Sequence, residues 1–244
     1  MGTVIAITSG KGGTGKTSIT GGIAASLAQM GRRVLCIDMD VGLRNLDISL
    51  GLSDRALMDF ADVALGRCPL TRAVVEHPDL PGLTLLSAPM TLPADPTSEQ
   101  VRALLQDARN LWDYILIDSP AGLGTGFQLA ICGADRALII ATNDASSLRD
   151  AQRTVSELDH LKTMHLVVNR VQTKLLRRLH ITIDDAMNAA GLPLIGVVPE
   201  DPQVILCANL GRPLTTRGRR GAALACWNIA QRLEGRRVPV MRIR

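Results

Sequence analysis

The chain has 244 residues and a mass of 26.1 kDa, with 46% hydrophobic and 20% charged residues. That balance excludes a disordered, collagen-like or coiled-coil protein and leaves room for one large domain. The net charge of +4 is unevenly placed: from Arg212 onward nine arginines and no lysine face one acid, Glu234, so this segment carries +8 and residues 1–211 carry −4.

Short apolar or β-branched runs recur at 4–8, 33–38, 83–88, 114–118, 137–142, 165–169 and 193–198. Most are apolar at consecutive positions, as expected of strands buried on both faces. Helical spacing fills the gaps between them. Ile19, Ile23, Leu27 and Met30 lie on one face of a helix over 17–30 that stops at Gly31. Thr97 and Gln100 stand in capping-box register before a helix over 98–111, and a third helix over 146–161 begins at a Ser-Ser pair. Pro89 to Pro96 reads as a surface loop. Ala223, Cys226, Trp227, Ala230 and Leu233 form the buried stripe of a helix within 219–234, with arginines turned outward. Strand and helix alternate almost throughout, which predicts an α/β fold. A single-domain, doubly wound, mostly parallel sheet of P-loop architecture over 1–234 is expected, followed by a basic tail at 235–244.

The first strand ends in Gly10-Lys11-Gly12-Gly13-Thr14-Gly15-Lys16-Thr17-Ser18, and a helix follows at once. This is a complete G-x-x-x-x-G-K-[ST] loop in the strand-to-helix setting its chemistry needs: backbone N–H groups turn around phosphate oxygens at the positive end of a helix. Lys16 is expected to pair with the β- and γ-phosphates of ATP and Thr17 to ligate Mg²⁺. After the second strand come Asp38 and Asp40, which could serve a metal or cap the following turn. Asp118 closes the fourth predicted strand in the sequence Asp118-Ser119-Pro120-Ala121-Gly122, at the sheet edge where α/β proteins place ligands. It is expected to hold Mg²⁺ through water, with Gly122 offering a backbone N–H to the γ-phosphate. Asn169-Arg170 and Pro199-Glu200-Asp201 end the last two predicted strands on the same edge, and an asparagine matches the donor and acceptor of an adenine edge.

The pattern KGGTGKT resembles the deviant Walker A loop of the MinD/ParA branch of P-loop ATPases. DMDVGLRNLD at 38–47 and DSPAG at 118–122 look like its MinD division-site members. The resemblance implies that Lys11 reaches the nucleotide of a second subunit, so that ATP holds a homodimer together, and that Asp40 positions the attacking water and contacts the magnesium shell. Asp38 supports that metal site, Asn169 contacts the base, and the loop Pro199 to Asp201 closes its other side. It further implies MinC-like and MinE-like regulators, met through the region of Asp150. An acid there has an equally good reason in the helix dipole. No general base or intrinsic arginine finger stands out, so slow turnover dependent on dimerisation and a partner is expected.

MinD proteins typically end in an amphipathic membrane helix. Here Pro239 forbids a regular helix through the tail, and only Val, Met and Ile are available to insert. Attachment to anionic lipid, non-specific binding of duplex DNA as in ParA-type partition ATPases, and a merely solvated end all stay open. So does an ATP-binding regulator that hydrolyses little. Five scattered aromatics disfavour stacking on single strands. Cys36, Cys68, Cys132, Cys207 and Cys226 make no CxxC pair, which suits reduced thiols rather than a disulfide framework, and Cys132 lacks the partner that an iron–sulfur relative would require. Thr3 to Thr8 runs directly into the glycine-rich turn with no leader-like pattern, and no apolar run is long enough to span a bilayer. The expected location is therefore cytoplasmic, with a membrane met only from its inner surface.

Overall fold

Val4, Ile5, Ala6 and Ile7 are each fully buried in the first strand, β1 (Thr3–Thr8), because both of its faces are covered by helices. Ile5 and Ile7 point into one hydrophobic cluster, Val4 and Ala6 into two others on the opposite face, as the two-residue period of a strand requires. The computed structural model describes residues 1–92 and 94–241. In chain order its elements are β1, α1 (Lys16–Gln29), β2 (Val34–Asp38), α2 (Asn45–Leu50), α3 (Phe60–Ala64), α4 (Leu70–Ala73), β3 (Val75–Glu76), β4 (Leu83–Leu86), α5 (Ser98–Leu111), β5 (Tyr114–Asp118), α6 (Thr125–Ile131), β6 (Arg136–Thr142) and α7 (Ala145–Ser156). There follow β7 (Met164–Val171), α8 (Thr173–Leu179), α9 (Ile183–Ala190), β8 (Leu194–Pro199), α10 (Pro202–Asn209), a 3₁₀ turn (Leu214–Arg217) and α11 (Gly221–Leu233).

The sheet runs β3-β4-β2-β5-β1-β6-β7-β8, parallel except for the β3–β4 pair. The chain winds outward from β1 through β2 to β4, then returns through β5 and moves to the other side, so the winding direction reverses beside β1. The crevice at such a switch point is where doubly wound sheets bind ligands. One face is covered by α1 and α11 with α2, the other by α3 to α5 and by α6, α7 and α9. The doubly wound α/β fold expected from the sequence is the fold observed.

All seven sequence-predicted strands are present, and the two-residue β3 is an addition. The α5 capping box forms, with Thr97 N–H donating to Gln100 Oε1 (2.8 Å) and Gln100 N–H to Thr97 Oγ1 (3.3 Å). Helix α7 differs from expectation at both ends. It is capped by Asp144, whose Oδ1 accepts from Ser147 N–H at 3.0 Å, rather than by the Ser-Ser pair, and it stops at Ser156 instead of 161. The acid at its N-terminus is therefore Asp144, and Asp150 lies beyond the first turn. Pro89 to Pro96 contains no helix or strand among its described residues, and Pro93 lies outside them.

Beyond α11 the chain is neither helix nor strand through Met241, and residues 242–244 of the predicted tail lie outside the described residues. The Arg232 guanidinium ties this segment to the edge strand, donating to Ile195 O (2.7 Å), Val238 O (3.1 Å) and Pro239 O (2.7 Å). Met241 packs against the cluster under α1 and α11. No described helix is long and apolar enough to cross a membrane.

Candidate nucleotide site

The loop from Ser9 to Gly15 joins β1 to α1 at the switch point. Gly15 holds φ at +91°, and a Cβ there would lie 2.3 Å from Asn169 Nδ2, so both backbone and space demand glycine. Gly10 lets the loop lie directly on α7, since a Cβ would meet Asp150 O at 2.5 Å. No side chain caps α1, and no acid occupies its first turn. Its N–H groups and dipole are left for an anion.

Lys16 is 7% exposed, its Nζ donating to Ser9 Oγ at 3.0 Å. Burial lowers its pKa, while Asp118 and Asp40 act in the opposite sense. Asp118 ends β5 fully buried and in register with Asp38 on β2. Burial, followed by the charge of Asp38, pushes the Asp118 carboxyl up to about 7; the Thr17 and Thr20 hydroxyls and Lys16 counteract this. Burial likewise raises Asp38 to about 6, although its two oxygens accept from Asp40 N–H (2.9 Å) and Leu46 N–H (3.1 Å). Both oxygens of Asp38 are thus engaged by backbone, fixing the loop that carries Asp40. Burial raises the Asp40 carboxyl and Lys16 lowers it.

Lys16, Thr17, Ser18 and Asp40 line a cleft of about 400 Å³ together with Gly12, Gly13, Gly15, Leu43, Asn45, Ile48, Ser49, Ala121 and Ala208. A second cavity of about 210 Å³ meets it at Gly13, Gly15 and Ser18 and is bounded by Asn169, Arg170, Pro199, Glu200 and Asp201. A cleft carrying Lys16, Thr17 and Asp40, joined to a more enclosed pocket, matches the two halves of a nucleotide. The buried Asp118 carboxylate beside the Thr17 hydroxyl, with Asp40 on the cleft wall, supplies hard oxygen donors of the kind Mg²⁺ takes. Mg²⁺ is commonly bound by one or two carboxylates and completed by phosphates and water.

Asn169, which lines the enclosed pocket, donates one of its two Nδ2 N–H groups to Thr14 O at 2.7 Å. Arg170, in the left-handed region at φ +57°, donates to Glu200 Oε2 (2.8 Å) across the rim. Asp201 caps two helices at once: Oδ1 accepts from Gln203 N–H in α10 and Oδ2 from Ala222 N–H in α11, both at 2.9 Å. Each cap contributes about 1 kcal/mol. Replacing Asp201 with Ala is accordingly expected to lower unfolding stability by roughly 2 kcal/mol, read from the denaturant midpoint at unchanged slope.

Sequence reasoning missed the apolar wall of the pocket: Ile19, Val198, Val204, Ile205, Leu214 and Ala222. The Asp201-Pro202 pair, an N-cap followed by proline at N1, is a helix-start signal that announced α10 and hence Val204 and Ile205. Lys11 stands apart from the cleft lining, its Nζ donating to Asp144 Oδ1 (3.1 Å) and Ser146 Oγ (2.9 Å). Gly122 holds φ at +83° with open space around it.

Residues 5–214 match the CobQ/CobB/MinD/ParA nucleotide binding domain. The chain belongs to this family. Within it the chain is a MinD-type P-loop ATPase. It is 38% identical over 246 residues to the septum site-determining protein MinD of Synechocystis, covering 99% of this chain and 92% of that one. The Bacillus subtilis protein of the same name is 37% identical over 247 residues, with 98% and 92% covered. Among solved structures, the MinC:MinD cell division protein complex of Aquifex aeolicus superposes with a TM-score of 0.90 at 37% identity, covering 98% of each chain. The Pyrococcus horikoshii MinD, complexed with Mg-ADP, gives 0.84 at 27% identity with 96% of each chain covered.

Proposed function

We propose that this MinD-type ATPase is an ATP-dependent homodimer that cycles on and off the inner face of the cell membrane to regulate division-site placement. Lys11 carries the reading. It belongs to the phosphate loop yet does not line that loop's cleft; its ammonium rests at the rim on Asp144, about one third exposed. A surface ion pair of this kind is worth at most about 1 kcal/mol, so exchanging it for the phosphates of a second copy costs little. Replacing Lys11 with Ala is expected to abolish ATP-dependent dimerisation in sedimentation velocity and to cut turnover by about 100-fold, with ATP binding by the monomer within about threefold. Fast turnover by the unaltered protein, independent of its concentration, would overturn the dimer switch.

Inside each subunit Lys16 and the N–H groups of Gly10 to Ser18 hold the phosphates, and Asp40 orients the attacking water. Thr17, Asp118 and Asp40 would hold Mg²⁺, whose bound charge offsets that developing on the β- and γ-phosphates. Asp38 acts by fixing the loop of Asp40. Gly122 hydrogen-bonds the γ-phosphate and lets its loop shift when that group leaves.

The base lies between Asn169 with Arg170 and the loop Pro199 to Asp201. One of the two Asn169 N–H groups is spent on Thr14 O, and the amide oxygen accepts from a base amino group. Adenine offers a donor at that edge and guanine a carbonyl. GTP should therefore compete for the site at least about tenfold less well than ATP, measured by displacement of a fluorescent nucleotide. A MinC-like regulator, and a MinE-like one, would meet the surface around Asp150, whose backbone lies against Gly10 and so touches the phosphate loop.

A further inference from the structure

We infer that α8 is a membrane-docking element that sets its two outer leucines into an anionic bilayer; the inference rests on the surface-cycling reading above. None of its seven residues is buried. Leu176 packs toward the cluster under α9, whereas Leu175 and Leu179, one helical turn apart, are 49% and 52% exposed. Lys174 and Arg178 run along one side of that leucine pair, and Arg177 adds a third cation further round the helix. No acid occurs between Arg170 and Thr182, and none of the three cations is ion-paired with a described acid.

Exposed leucines and unneutralised cations on one short exposed helix fit a surface that is apolar below and anionic above. The cations reach headgroup phosphates while their stems and the leucines enter the acyl boundary. Duplex DNA would use the cations and leave both leucines in water. A protein groove would have to close around a convex helix that already leans on its own domain by Leu176. The C-terminal segment offers less: Arg232 binds its backbone and Met241 turns inward. A single seven-residue helix holds a membrane weakly, and two copies in one ATP-bound dimer multiply that hold.

The test sediments the full chain, with ATP or ADP, against vesicles of phosphatidylglycerol and phosphatidylcholine. ATP-dependent binding is expected, weakened at least about tenfold in L175S/L179S and roughly a hundredfold in K174Q/R177Q/R178Q. Nucleotide affinity and thermal unfolding should stay unchanged. A second readout is the emission of L175W, expected to shift to the blue on adding vesicles with ATP. Undiminished vesicle binding by both multiple variants, or an L175W emission that does not move, would overturn the inference. So would binding that survives in them but disappears when residues 235–244 are removed; the surface reading would then stand without α8. Absence of ATP-dependent sedimentation by the unaltered chain would instead remove the membrane reading itself. ATP-dependent binding to duplex DNA that K174Q/R177Q/R178Q loses and L175S/L179S keeps would assign the helix to DNA.

Discussion

Replacing Lys16 with Ala is expected to weaken ATP binding by two to three orders of magnitude and to leave no measurable hydrolysis. The ammonium is almost wholly buried and faces Asp118, Asp40 and the open end of α1. Its charge offsets a region that holds Asp38, Asp40 and Asp118 close together, two of them buried. Without it the incoming triphosphate meets carboxylates and an uncapped helix end alone. Removing one partner of a buried charge pair costs about 3–5 kcal/mol, which gives the predicted loss of affinity. Lys16→Arg should not rescue it, because the planar guanidinium is larger than the ammonium that fits beside Ser9. Titration calorimetry with ATP and Mg²⁺ checks the affinity, and phosphate release checks the turnover. Binding reduced less than tenfold would mean that the loop N–H groups hold the phosphates without this lysine.

The central strands were legible because a strand covered on both faces shows as an unbroken apolar run, as in Ile115 to Ile117 or Leu138 to Ala141. Strand β3 was not, since Val75–Glu76 is two residues long, too short to show a pattern, and is defined by its antiparallel pairing with Thr84 and Leu85. Helices α2 to α4 escaped for a similar reason: at four to six residues they are too short to show a period. The phosphate half of the site could be read because its parts lie within one strand, one loop and one helix. The base half is assembled from residues as distant as Ile19, Asn169 and Ala222, and their closeness is a product of packing α11 across α1 and β8. Local pattern carries no record of that. Side-chain commitment was likewise invisible. The sequence supplied an asparagine with donors and an acceptor, and the fold committed one of its two N–H groups by placing Thr14 O beside it. It also supplied two aspartates in DMD without saying that the first would spend both oxygens on backbone N–H groups.

That division of labour between the two aspartates sets the second large effect. Asp40→Ala should lower kcat by at least about 100-fold while ATP affinity falls by no more than about tenfold, because orienting water acts on the transition state and Thr17 and Asp118 remain to hold Mg²⁺ in the ground state. Asp40 sits at the mouth of the phosphate cleft, and its N–H is anchored on Asp38. Removal of its side chain leaves Lys16, Thr17 and the loop N–H groups where they are. The variant should therefore still dimerise with ATP and, lacking hydrolysis, persist as a dimer where the unaltered protein relaxes to monomer. Asp38→Asn gives the contrasting outcome. An amide can still accept one backbone N–H through its oxygen, but its NH₂ faces a second N–H donor, so the loop loosens and both affinity and turnover fall. Stopped-flow phosphate release combined with sedimentation of the ATP-bound species separates the two. If Asp40→Ala released phosphate at the normal rate, the water would be oriented by another group, and the chain would need a different account of how its dimer comes apart.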